Sequence, residues 1–145
     1  MITGDTVSIG VQAGDRSAHQ AVSRHVLELR TLLRQHCHGP FSREVDEFAI
    51  VLRVDGDIWH WEEEGVSRIR VNRKARTISA DVGIPRGRWE VAPDVFRRFL
   101  AESIAKALEE MAGHLAKKKL DVDLGGLREA VGTTMRAFWS GWSQA

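Results

Sequence analysis

The sequence predicts an α+β domain: a four-stranded antiparallel meander with three helices packed on one face, in two layers. Two observations predict it. Residues 46–85 alternate apolar and polar side chains in short runs separated by turn signals. The flanking stretches, roughly 17–35, 93–119 and 121–142, instead carry apolar residues at helical spacing. Three apolar helix stripes and one apolar sheet face bury each other in a two-layer arrangement.

Residues 1–14 form an amino-terminal arm or an edge strand, and residues 15–145 a single α+β domain. In the arm, Val7, Ile9 and Val11 alternate with Ser8, Gly10 and Gln12. That pattern fits an extra strand, and its terminal position equally fits a loosely held segment. Ser17-Ala-His-Gln20 reads as a capping box opening a helix to about Gln35. Its stripe is Val22, Val26, Leu29 and Leu33, flanked by Ala18, Ala21 and Leu32, and Gly39-Pro40 stops it.

The meander begins with Phe48, Ile50, Leu52 and Val54 on one face of a strand. Asp55-Gly56 signals a two-residue hairpin turn, because a type I′ turn needs φ > 0 at both central positions. That turn sets Leu52 opposite Trp59 and Ile50 opposite Trp61, so both tryptophans face inward. Glu63-Glu64-Gly65 suits a turn with a bulge, after which Ile69 and Val71 face in while Arg68 and Arg70 face out. A turn near Arg73-Lys74 leads to a last strand with Ile78, Ala80, Val82 and Ile84 inward and Thr77, Ser79 and Asp81 outward, ended by Pro85. The outer face is largely polar and predicted to be open.

Residues 86–90 read as a connecting loop. Pro93 opens the next helix, with Phe96, Phe99, Leu100, Ile104, Leu108, Met111 and Leu115 along its apolar face. Lys117, Lys118 and Lys119 complement its dipole at the carboxy-terminal end. Asp121 or Asp123 caps the final helix, whose stripe is Leu124, Leu127, Val131, Met135, Phe138 and Trp142, with Trp139 beside it. Gly125 and Gly126 weaken its first turn.

Composition narrows function mainly by exclusion. The chain has 145 residues, 43% apolar and 28% charged, with a formal net charge of +1. No whole-molecule field draws it to nucleic acid or to a membrane. Its single cysteine, Cys37, excludes an intrachain disulfide framework. With no signal-peptide pattern and no long apolar run, the expected location is the cytoplasm. His36-Cys37-His38 lacks the ligand number and spacing of a zinc site, and Cys37 has no base assigned to it by spacing, so no metal, cofactor or catalytic residue is expected. Nucleotide-binding and serine-hydrolase motifs are absent.

Charge within the meander is segregated. Acidic residues from Glu44 to Glu64 crowd its first half and basic residues from Arg68 to Arg88 its second. The open face therefore offers Arg53, His60, Glu62, Arg68, Arg70 and Asp81 as a mixed-charge patch suited to steering a protein partner. An ordinary solvated sheet face with cross-strand ion pairs fits the same pattern.

Three stretches, Val45-Asp-Glu-Phe-Ala-Ile-Val-Leu-Arg-Val-Asp-Gly56, Asp81-Val-Gly-Ile-Pro-Arg-Gly-Arg-Trp89 and the helix ending in Lys117-Lys-Lys119, resemble small bacterial immunity proteins of polymorphic toxin systems. The resemblance spans roughly residues 41–127 and carries no catalytic signature. It implies a protein-binding inhibitor, not an enzyme, that neutralises a cognate protein toxin by occluding its active site or substrate groove. The alternative is a small nucleic-acid-binding or regulatory domain using the basic Arg68 to Arg88 region. A third reading, an enzyme, has its only seed in His60 flanked by Glu62 and Arg68.

Overall fold

The amino-terminal alternation builds a strand, β1 (Val7–Ala13), with Val7 and Ile9 buried and Gly10 and Gln12 exposed. The computed structural model describes residues 6–14, 16–55 and 65–143. After β1 come α1 (Arg16–His36), β2 (Glu47–Asp55), β3 (Gly65–Asn72), β4 (Thr77–Pro85), the single-turn α2 (Arg86–Trp89), α3 (Pro93–Lys117) and α4 (Leu124–Ser143).

The class is α+β, but the sheet is mixed and is not an antiparallel meander. Its order is β1-β2-β4-β3. β1 and β2 are parallel, β2 and β4 are parallel, and only β3 and β4 are antiparallel. Leu52 faces Val11 on one side and Val82 on the other, and Ile50 faces Ile9 and Ala80. Both edges of β2 are thus filled along Phe48 to Val54, which leaves no edge there for the expected hairpin partner. The segment carrying Trp59 and Trp61 lies outside the described residues, and so does the expectation that both face inward. Asp55-Gly56 is a local turn signal, whereas the pairing of β2 is set by α1, which returns the chain parallel to β1 as a helical crossover does.

Which residues face the core follows the alternation. Phe48, Ile50, Leu52 and Val54 of β2 and Ile78, Ala80, Val82 and Ile84 of β4 are all buried, in one cluster with the helix stripes. Val66, Ile69 and Val71 of edge strand β3 are half-buried against that cluster. A bulge between Ser67 and Arg70 gives β3 one extra residue, and Arg68 adopts φ 52° there.

Among the described residues there are four helices, because residues 86–89 form a short turn of helix in place of the expected loop. In α1 the predicted stripe is buried, and His25 joins it. Ser17 lies inside α1, which already includes Arg16, so it is not the capping residue. Pro93 occupies the first turn of α3 as predicted. Asp123 caps α4 through its Oδ1, which accepts from Gly126 N at 3.0 Å. Asp121 does not cap the helix. Its carboxylate accepts from Arg43 N at 3.1 Å and its carbonyl from Ser42 Oγ at 2.5 Å. The loop before β2 and the loop before α4 are thereby tied together.

Candidate functional site

The sheet face turned away from the helices carries the predicted patch. Parallel pairing of β2 with β4 sets Arg53 opposite Gly83 and Val51 opposite Asp81. Gly83 has no side chain, so the Arg53 side chain can cross it, and its Nε donates to Asp81 Oδ2 at 2.7 Å. On the other flank, Ser67 faces Asp81 across β3 and β4. The bulge that follows brings Arg68 Nη1 to 3.7 Å from the same oxygen. One carboxylate, 16% exposed, therefore stands between two guanidiniums that are 47% and 58% exposed. The local balance is one net positive charge, with guanidinium donors reaching into solvent.

Of the six predicted partner-binding residues, Arg53, Arg68 and Asp81 are brought together. Arg70 stands nearby on the exposed side of β3, opposite Ser79. His60 and Glu62 lie outside the described residues, and with them most of the proposed enzymatic seed.

The charges segregated along the sequence are interleaved in space, because β4 of the basic half lies directly beside β2 of the acidic half. Arg76, at φ 58° in the β3–β4 turn, donates to Asp46 Oδ2 at 2.7 Å and also to the Arg43 carbonyl. That hydrogen bond holds the Asp46 carboxyl below its ordinary range. Arg88 lies 5.5 Å from the Phe99 ring centroid. Two cations of the basic stretch are thus engaged with groups of the chain itself at its surface.

Elsewhere, Cys37 is buried with its Sγ 3.6 Å from Thr134 Oγ1, and burial pushes the thiol up, away from the thiolate a nucleophile needs. His36, Gly39, Asp123 and Thr133 line a shallow groove of ≈ 330 Å³ beside it. Among the described residues no three His, Cys, Asp or Glu side chains converge as metal ligands.

The residue that sequence reasoning missed is Arg97. Its side chain is 0% exposed and its two Nη atoms donate to the Glu28 carboxylate, each at 2.7 Å. Nη2 also donates to the Phe138 carbonyl at 2.5 Å, and the guanidinium lies 3.5 Å from the Phe138 ring centroid. The signal was present: Arg97 precedes Leu100, Ile104 and Leu108 at apolar-stripe spacing.

No family model, curated protein or solved structure matches the chain. Among the described residues no helix is long and apolar enough to cross a membrane.

Proposed function

We propose that this chain is a cytoplasmic, protein-binding inhibitor of the immunity-protein kind. It neutralises a cognate bacterial toxin by covering the toxin's active site or substrate groove, and it performs no chemistry of its own. The observation that carries the reading is the Arg53–Asp81–Arg68 cluster, on a sheet face that none of the four helices covers. A pre-paired, half-exposed charge cluster offers a partner oriented donors at little ordering cost, because Asp81 already restrains both guanidiniums. The resemblance of residues 41–127 to immunity proteins supplies the class of partner.

The test is association with a toxin candidate encoded by a neighbouring reading frame, measured by surface plasmon resonance. Reversing Arg68 and Arg70 to Glu together slows association and alters its salt dependence. An unchanged association rate moves the site to the helical surface around Arg88 and Trp139. The nucleic-acid reading is checked in the same series with mixed-sequence RNA and DNA at physiological salt, where no binding is expected. Arg76 and Arg88 already have partners within the fold, which weakens the basic stretch as a phosphate-binding track.

A further inference from the structure

β1 ends the sheet, so one of its edges faces no strand among the described residues. The hydrogen-bond parity identifies which groups lie on that edge. Thr6 O accepts from Phe48 N at 2.7 Å and Gly14 N donates to Val54 O at 3.3 Å, so even-numbered residues address β2. Val7, Ile9, Val11 and Ala13 therefore direct their N–H and C=O groups outward. The strand, Val-Ser-Ile-Gly-Val-Gln-Ala, has none of the usual protections of an edge: no charged residue and no proline. What stands on the edge comes from another element. Arg30 of α1 donates from Nη2 to Ile9 O at 2.7 Å, and Ile9 is only 3% exposed.

We propose that the outer edge of β1 is a latent strand-docking surface for a second copy of this chain, and that Arg30 holds it closed. Two β1 strands related by a two-fold axis through Val11 pair antiparallel, with Ile9 of each opposite Ala13 of the other. In that register Val11 exchanges two hydrogen bonds with its counterpart, and Ile9 O is the acceptor for the opposing Ala13 N–H. Arg30 occupies that acceptor. Two copies of β1 carry no side-chain charge to repel each other, so the guanidinium on Ile9 O takes the place of the lysines and prolines that protect other edges. This inference is independent of the proposed function and concerns the opposite end of the sheet from β3.

The test uses Arg30→Met, which keeps the aliphatic stem over the strand and removes the donor. Sedimentation velocity is run over a concentration series on the wild type, Arg30→Met and Arg30→Met/Val11→Pro. The expected result is a monomeric wild type, a shift of Arg30→Met to dimer as concentration rises, and a return to monomer in the double variant. Proline at position 11 removes an N–H that points away from β2, so it blocks pairing without breaking the sheet. A folded, monomeric Arg30→Met at all concentrations overturns the proposal. So does association that survives Val11→Pro, or a wild type that already dimerises through β1. If Arg30→Met does not fold by circular dichroism, Arg30→Leu, which also lacks a donor, is run in its place and read the same way.

Discussion

Arg97 brings a charge into the junction of α1, α3 and α4, where Glu28 balances it and the Phe138 carbonyl and ring receive its remaining faces. A buried charge stripped of its partner is costly, and so is the space left by a lost guanidinium. Glu28→Ala, which leaves the buried Arg97 guanidinium without its carboxylate, is expected to lower stability by about 3–5 kcal/mol. Arg70→Ala, at an exposed position, is expected to cost under about 0.5 kcal/mol. Urea melts of both variants check the contrast. The same junction makes stability sensitive to acid. Desolvation, with Arg24 and Arg97 nearby, lowers His25 below its ordinary 6.5 despite the opposing influence of Glu28. The unfolded chain therefore takes up a proton at His25 before the folded chain does, and stability falls as pH drops below about 6.5. The hydrogen bond from Arg97 lowers Glu28 below its ordinary 4.5, so that contribution is present above 4.5 and is lost as pH falls through the depressed value. Thermal melts of the wild type are expected to decline in two stages below neutrality. His25→Leu removes the first stage, and an unchanged profile in that variant would exclude His25 as its source.

At the scale of elements, the start of α4 couples two residues that the sequence presents separately. Asp123 is the cap, and a Cβ at Gly126 would sit against its carboxylate. Gly126, read from sequence as a weakness, is thus what lets the cap close. Asp123→Ala is expected to cost about 1 kcal/mol. Gly126→Ala in the wild type is neutral or destabilising, but with Asp123→Ala already present it stabilises by up to about 1 kcal/mol, the helical preference of Ala over Gly. A double-mutant cycle measures this coupling. If Gly126→Ala stabilises equally in both backgrounds, the two residues do not interact. The bulge in β3 has a comparable role on the sheet, since the added residue is what carries Arg68 toward Asp81.

For the whole molecule, the layering separates stability from surface charge. All helices cover one sheet face and its apolar residues, while the Arg53–Asp81–Arg68 cluster lies on the other. The Arg68→Glu/Arg70→Glu reversal should therefore change stability by no more than about 1 kcal/mol, because exposed ion pairs contribute little. Its effect on partner association should weaken at high salt, where charges further apart than about one Debye length no longer sense each other. A large drop in melting temperature would show that the outer face supports the fold instead of serving a partner.

The sequence by itself determined which residues face the core, because that information is periodic and local. The alternation at Phe48 to Val54 and at Ile78 to Ile84, and the stripes at Val22 to Leu33 and Phe96 to Leu115, needed no knowledge of neighbours. It also selected Arg53 and Asp81 for one face, because parity along a strand assigns the face in any sheet, whereas Arg68 reaches that face through the bulge that breaks the parity of β3. Only the tertiary structure decided which strands are neighbours. An apolar face fits a parallel or an antiparallel partner equally well, so Asp55-Gly56 suggested a hairpin while β1 and β4 took the edges of β2. That choice brought Arg53 beside Asp81 and Asp46 beside Arg76, pairs separated in sequence by 28 and 30 residues. It also decided the state of Arg97, whose charge is tolerable in the core only because Glu28, from a helix 69 residues earlier, meets it there.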